Sequence, residues 1–166
     1  RHGCWIVGGY VERATDARLF NGALVIDPTG ALRFAYRKTL LFDADLPWAT
    51  PGDSGYATFD TGRGTFGVGI CMDLNDDAFT DWCRTAGPRA IAFPTNWLDQ
   101  GLDVWPYWAW RLDGAPSALV AANTWGDEGE TRFCGCSAIL DGDVVLDAAP
   151  PEGDAIIRAV LPANRE

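Results

Sequence analysis

The chain has 166 residues, of which 48% are apolar, and a formal net charge of −10. This length suits a single domain, residues 1–166, with a substantial core. The acidic charge argues against nucleic acid or an anionic membrane surface as a partner, because phosphate groups would be repelled. We expect no membrane span, because the chain has neither an apolar run long enough to cross a bilayer nor a visible signal peptide. Five cysteines without regular spacing do not indicate a disulfide framework, so we expect reduced thiols and a cytoplasmic location.

Short apolar runs alternate with turn residues along the whole chain. Strands are predicted at residues 5–7, 23–27, 32–36, 56–59, 65–70, 89–93, 118–122, 136–140, 144–146 and 155–161, and helices at 76–86 and 105–112. Residues 12–21 are expected to be polar and irregular, residues 43–55 to form a loop, and Pro94 to end its strand. Strand–helix units mixed with hairpins predict an α/β fold built as a sheet sandwich.

The most informative stretch, residues 66–75, reads Phe-Gly-Val-Gly-Ile-Cys-Met-Asp-Leu-Asn. Cys71 follows a predicted strand and precedes a predicted helix. Reactive side chains collect at the carboxyl ends of strands in α/β sheets, beside helix N-termini. Cys71 is therefore a candidate nucleophile, although a buried cysteine that only packs would show the same pattern.

A nucleophilic thiol needs a group that takes its proton. The single histidine, His2, lies near the start of the chain, which makes a Cys–His pair improbable and points to a carboxylate or a lysine. Lys38, next to Arg37, is one of the basic residues that interrupt the otherwise apolar stretch 36–42. Its ammonium could stabilise a developing oxyanion, or it could simply reach from a strand edge into solvent.

Several motifs together resemble the carbon-nitrogen hydrolase (nitrilase) superfamily over nearly the whole chain. They are Tyr36-Arg37-Lys38-Thr39-x-Leu41-Phe42, Gly69-Ile70-Cys71-Met72-Asp73, Pro94-Thr95-Asn96-Trp97, the hairpin from Asn21 to Gly30, Ala121-Ala122-Asn123 and Gly135-x-Ser137. Within the superfamily, the cysteine motif and Asn96-Trp97-Leu98 most resemble protein N-terminal asparagine amidohydrolases. Omega-amidase-like members are second.

The resemblance implies an α-β-β-α sandwich with a Glu-Lys-Cys triad. Cys71 would attack an amide or nitrile carbon and form a thioester after ammonia leaves. Lys38 and the backbone N–H of Met72 would stabilise the oxyanion. Asn96 and Trp97 would form the pocket wall, although Asn96 could instead cap its own loop and Trp97 could only pack. The resemblance also implies a homo-oligomer, formed through helices near the cysteine.

The glutamate of the triad is the main departure from the family pattern. Only Glu12 precedes Lys38, in a different motif context, and no glutamate lies between Glu12 and Glu128. Asp43 or Asp45 could replace it. Because the chain also begins without Met, we expect that the N-terminal strands and helices of the sandwich, including the base glutamate, are missing.

Metal binding ranks low. Cys134-x-Cys136 lacks the second pair that a structural zinc needs, and the acidic residues of 73–81 lack a regular calcium loop. We therefore expect no metal and no cofactor. The predicted function is an amidohydrolase that cleaves a terminal carboxamide of a small molecule or of a peptide N-terminus, with an N-terminal Asn or Gln as a candidate substrate. The alternatives are a catalytically inactive fragment or binding subunit and a small-molecule nitrilase.

Overall fold

The structure is a computed structural model that describes residues 2–162, and these residues form eleven strands and two α-helices. The strands are β1 (Ile6–Arg13), β2 (Leu19–Ile26), β3 (Leu32–Arg37), β4 (Thr58–Asp60), β5 (Thr65–Val68), β6 (Ala90–Thr95), β7 (Ala118–Asn123), β8 (Trp125–Glu128), β9 (Thr131–Cys134), β10 (Ala138–Asp141) and β11 (Val144–Ala148). The helices are α1 (Asp77–Ala86) and α2 (Val104–Arg111), and a 3-10 helix spans Cys71–Asn75.

Two sheets pack against each other. The first is antiparallel with the order β1-β2-β3, and the second has the order β11-β10-β7-β6-β5-β4 with β5, β6 and β7 parallel. Val25 and Tyr36 of the first sheet share a buried cluster with Val68 of the second and with Ile70, which follows β5. β8 and β9 form a separate hairpin.

The helices cover the outer face of the six-stranded sheet. Phe79 of α1 and Trp108 of α2 are buried in one cluster with Ile91, Phe93 and Leu119 of the strands beneath. The helix–sheet–sheet layering confirms the predicted α/β sandwich. It follows from strands whose alternate residues supply two apolar faces, one for the helices and one for the facing sheet.

Residues 12–21 are not irregular, contrary to the prediction. β1 runs through Gly8 and Gly9 to Arg13, and it pairs along its whole length with β2, so that Tyr10 faces Gly22. The turn between them places Ala17 at a φ of 68°. Because these residues are polar, their sequence lacks the apolar pattern of a strand. The strand is stabilised instead by its pairing with the neighbouring strand.

Pro94 does not end its strand, which is a second correction. β6 continues to Thr95, and Pro94 pairs with Ala122 of the parallel strand β7. The carbonyl of Ala92 accepts from the N–H of Gly69, so the backbone of alternate residues from Ala92 onward faces β5. β5 has ended at that level, and proline therefore leaves no ladder hydrogen bond unmade there.

The segment 155–161 forms no strand, although its pattern predicted one. Ile156 and Val160, which would share one face of a strand, are 84% and 93% exposed, and the residues of the other face (157, 159 and 161) are only half-buried. Side chains hold it instead, since Arg89 donates to the carbonyls of Leu161 and Pro162.

The β8–β9 hairpin was not predicted at all. In the part of the chain that the structure describes, neither helix has the length and apolarity to cross a membrane.

Candidate active site

Cys71 lies where the chain leaves the six-stranded sheet. After β5 ends at Val68, the chain turns at Gly69 and Ile70 into the 3-10 helix that begins at Cys71. Cys71 has a φ of 45°, in the left-handed region that side chains rarely adopt, and it is half-buried. Backbone held in such a conformation clusters at functional sites. The turn thus supports the hypothesis that Cys71 is a nucleophile.

The buried carboxylate of Asp73 ties this turn to the end of β3. Its Oδ2 accepts hydrogen bonds from the backbone N–H of Ile70 at 2.9 Å and from the hydroxyl of Tyr36 at 2.8 Å. Its Oδ1 accepts from the N–H and the hydroxyl of Thr39, both at 2.9 Å, and from the N–H of Leu40 at 3.0 Å. Burial raises the pKa of Asp73, although the N–H groups of Leu40 and Ile70 act in the opposite direction.

Lys38 directly follows β3 on the facing sheet. Its N–H donates to the carbonyl of Asn21 at 2.8 Å, and its carbonyl accepts from the N–H of Gly52 at 2.8 Å. A Cβ on Gly52 would lie 2.2 Å from the carbonyl oxygen of Arg37, so only glycine lets the loop approach this closely. Lys38 is 2% exposed. A buried ammonium needs a partner inside the protein.

Asp45 is that partner. Its Oδ2 lies 2.5 Å from Nζ of Lys38 and accepts from the N–H of Phe42 at 3.0 Å. Its Oδ1 accepts from Nδ2 of Asn21 at 3.1 Å. Burial opposes ionisation of this carboxyl, but the hydrogen bonds from Lys38 and Phe42 outweigh it and hold the pKa of Asp45 below its ordinary value.

A cavity of about 1000 Å³ is lined by residues of both sheets and brings the two candidate groups together. Among the described residues that line it, Cys71 is the one thiol and Lys38 the one cation. Asp45 and Glu128 are the carboxylates in the same lining. A second groove of about 630 Å³, between α2 and the β10–β11 hairpin, has no thiol in its lining and is not the candidate site.

The other groups considered as proton acceptors lie elsewhere. Asp43 and His2 are exposed and do not line the cavity. Glu12 does not line it either, and its Oε2 accepts from Nε of Arg37 at 2.9 Å. Of the two aspartates proposed from the sequence, only Asp45 lies at the cavity.

The predicted wall residues occupy different places. Asn96 lines the cavity, and its Oδ1 accepts from the hydroxyl of Thr124 at 2.5 Å. Trp97 does not line it. Its ring packs against Tyr107 and Trp108 on the helix side of the sheet, with ring centroids 5.9 and 5.6 Å away. In the described part of the chain, Trp97 therefore packs against aromatic rings, which was the alternative to a place in the pocket wall.

Met72 follows Cys71 as the second residue of the 3-10 helix. Its Sδ lies 3.1 Å from Nδ2 of Asn75, so its side chain contributes to the shape of this turn. The role of its backbone N–H as an oxyanion donor stays a prediction.

Asn123, at the end of β7, organises the loops around the cavity, and the sequence motif that contained it gave it no role. Its Oδ1 accepts from the N–H of Trp97 at 2.7 Å. Its Nδ2 donates to the carbonyl of Gly135 and to Sγ of Cys134, and its N–H donates to the hydroxyl of Ser137 at 2.8 Å. A polar residue directly after an apolar strand was the one sequence signal for this position.

The remaining cysteines differ from Cys71 in their surroundings. Burial raises the pKa of Cys83 to about 12 and that of Cys134 to about 11. Neither of these two thiols lines the cavity. Within residues 2–162, no three His, Cys, Asp or Glu side chains gather in a group that could hold a metal ion.

The chain belongs to the carbon-nitrogen hydrolase family, whose family model matches residues 1–165. The protein N-terminal amidase of Saccharomyces cerevisiae is 28% identical over 123 residues, which cover 58% of this chain and 27% of that protein. The human omega-amidase NIT2 is 31% identical over 99 residues, which cover 54% of this chain and 36% of that protein. The chain therefore matches only about a third of the length of these curated relatives.

Solved structures confirm the fold. A mutant of the amidase from Nesterenkonia sp. AN1, showing covalent addition of the acetamide moiety of fluoroacetamide at the active-site cysteine, has a TM-score of 0.79 and 19% identity. The match covers 90% of this chain and 58% of the amidase. A carbon-nitrogen hydrolase from Helicobacter pylori G27 has a TM-score of 0.78 and 20% identity, and the match covers 92% of this chain and 60% of that structure. At these identities the likeness concerns the fold.

Proposed function

We propose that this chain is part of an amidohydrolase that cleaves a terminal carboxamide through a thioester on Cys71. The observation that carries the proposal is that Cys71 and Lys38, from two facing sheets, line one cavity of about 1000 Å³ in a member of the carbon-nitrogen hydrolase family. The names of the two relatives, a protein N-terminal amidase and an omega-amidase, support a carboxamide substrate.

In the proposed reaction, the thiolate of Cys71 attacks the amide carbon, a C–S bond forms, and the carbonyl electron pair moves to oxygen. The ammonium of Lys38 and the N–H of Met72 stabilise this oxyanion. Its collapse breaks the C–N bond, and the nitrogen takes a proton and leaves as ammonia. Water then hydrolyses the thioester to a carboxylic acid and restores the thiol. A general base must carry the proton, and its identity as a glutamate stays a prediction.

The charge of the cavity favours one kind of carboxamide over another. Among the described residues, its charged side chains are Lys38, Asp45 and Glu128. Lys38 is already paired with Asp45, whereas the carboxylate of Glu128 has no ion pair or side-chain hydrogen bond to another described residue. An amide that carries an ammonium, such as a peptide with N-terminal Asn or Gln, therefore suits the cavity better than the anionic amide of a dicarboxylic acid.

Ammonia release from a matched panel tests the proposal. The panel contains a short peptide with N-terminal Asn, its N-acetylated form, succinamic acid and a simple nitrile. We expect the free peptide to react fastest, Cys71→Ala to release no ammonia, and Cys4→Ala, which changes an exposed thiol, to behave like the parent. Glu128→Gln should lower the preference for the free peptide about threefold, as expected for an exposed charge pair.

Each alternative has its own outcome in the same panel. A nitrile that reacts faster than every amide would favour a nitrilase. No ammonia from any substrate, with the folded chain and with any longer form that its reading frame encodes, would favour a binding subunit. Ammonia release that survives Cys71→Ala would contradict the proposed thioester.

A further inference from the structure

Asp45 forms a small polar cluster with two other residues of the cavity. It is 8% exposed, and both of its carboxylate oxygens have donors: Nζ of Lys38 at 2.5 Å, the N–H of Phe42 at 3.0 Å and Nδ2 of Asn21 at 3.1 Å. Asn21, Lys38 and Asp45 all line the cavity that contains Cys71. The cluster thus joins β2, the end of β3 and the following turn at the candidate site.

Backbone hydrogen bonds also hold Asp45 in place. The N–H of Asp45 donates to the carbonyl of Phe42 at 2.8 Å, and its own carbonyl accepts from the N–H of Ala49 at 2.8 Å. Further along the loop, the N–H of Gly52 donates to the carbonyl of Lys38. The segment after Lys38 therefore folds back onto Lys38. This fold holds the carboxylate of Asp45 beside the Lys38 ammonium.

We propose that Asp45 is the positioning residue of the site, which pairs with the buried Lys38 ammonium and holds it in place at the cavity that Cys71 also lines. The inference rests on the proposed function, because it gives Lys38 the task of stabilising an oxyanion. An ammonium that is 2% exposed has lost most of its contact with water and needs a counter-charge inside the protein, and Asp45 is its one ion-pair partner among the described residues.

Asp45 does not act as the general base. Its Oδ2 already accepts two hydrogen bonds and its Oδ1 a third, and the Lys38 ammonium strongly favours its ionised form. A carboxylate that is stabilised in this way is a poor proton acceptor. Asp45 thus acts through Lys38, and the proton from the thiol goes to another group.

The sole lysine of the chain allows a direct test that does not depend on turnover. Lysine labelled with ¹⁵N at Nζ gives a side-chain signal from Lys38 alone. We expect Asp45→Asn to make Lys38 lose its proton at least one pH unit lower than in the parent, a tenfold change in the equilibrium. Asp45→Glu should restore part of the difference, and Asp43→Asn, at an exposed position of the same loop, should behave like the parent.

Ammonia release from the best substrate of the panel provides the second measurement. We expect Asp45→Asn to lower kcat about a hundredfold at neutral pH with little change in KM, because the lost charge acts on the transition state. As the pH rises, the activity of the variant should fall at a lower pH than the activity of the parent. An unchanged lysine titration and an unchanged pH profile would show that Asp45 only stabilises the conformation of the loop, and would overturn the proposal.

A second variant covers the possibility that Asp45→Asn does not fold. Asn21→Ala keeps both charges and removes only the hydrogen bond to Oδ1, so we expect a smaller shift of the Lys38 titration in the same direction. No shift in this variant, with Asp45→Asn unfolded by circular dichroism, would overturn the proposal. If the parent releases no ammonia, the proposed function fails, while the lysine titration still decides the role of Asp45.

Discussion

Asp73 is fully buried and does not line the cavity, yet it joins the two segments that carry the candidate nucleophile and the lysine. Three of its donors are backbone N–H groups, from Thr39, Leu40 and Ile70, and these cannot rotate to become acceptors. Both oxygens must therefore stay acceptors. At the scale of single residues, the geometry of the site depends on this carboxylate as much as on the residues that face the substrate.

Asp73→Asn tests this dependence. An amide at this position would turn an NH₂ group toward a backbone N–H whichever way it is placed, so we expect a loss of about 2–3 kcal/mol in the free energy of unfolding. Urea unfolding followed by fluorescence measures it. Asp81→Asn, which alters an exposed pair with Arg84 on α1, should cost less than about 0.5 kcal/mol. Equal losses in the two variants would contradict the role given to Asp73.

The elements that the sequence predicted well are those with local signals. The strand, turn and helix around residues 65–86 follow from an apolar run and from Asp76, whose Oδ1 accepts from the N–H of Ala78 at 3.0 Å as a helix cap. The β1–β2 hairpin was missed because its support comes from neighbouring strands. Glu12 on β1 reaches across β2 to Arg37 on β3, whose guanidinium stacks 3.9 Å from the ring of Phe20.

The same distinction applies to the candidate site. Lys38 and Cys71 were identified from motifs, and both line the cavity. The contacts of Asp73 and Asn123 were not predicted, because they join residues 34 and 26 positions apart. Asp45 was considered only as a substitute base. Its pairing with Lys38 depends on how the turn folds, which no local pattern reveals.

Glu12→Gln tests the cross-strand support at the scale of the element. The hydrogen bond to Arg37 is the largest cause that lowers the pKa of Glu12, so the ionised pair stabilises the fold above the ordinary glutamate pKa. We expect the variant to lose about 1 kcal/mol at pH 7. The difference from the parent should disappear as the pH falls below the ordinary glutamate pKa and then through the lowered pKa of Glu12. Glu130→Gln, at an exposed position, should show no such trend; a constant difference across pH would contradict the ion-pair explanation.

At the scale of the whole molecule, the site exists only when the two sheets are packed together. Cys71 leaves one sheet and Lys38 the other, and the buried cluster of Val25, Tyr36, Val68 and Ile70 lies between the sheets. The helix layer on the far side of the six-stranded sheet does not touch this site directly. The predicted homo-oligomer through helices near the cysteine concerns the outer surface of this layer.

Trp110→Glu tests the predicted homo-oligomer. Trp110 on α2 is 62% exposed and lies 5.7 Å, between ring centroids, from partly exposed Tyr107, so the two rings form an apolar patch on a molecule of net charge −10. We expect the parent to have the mass of a dimer or larger in light scattering after size exclusion. A charge placed in the patch should shift the variant toward the monomer, because a carboxylate loses its hydration when it is buried in an apolar interface. Leu32→Glu, at an exposed position on the opposite sheet, is the matched control and should leave the mass unchanged. A monomeric parent, or a variant that keeps the parent's mass, would show that this helix face does not mediate association.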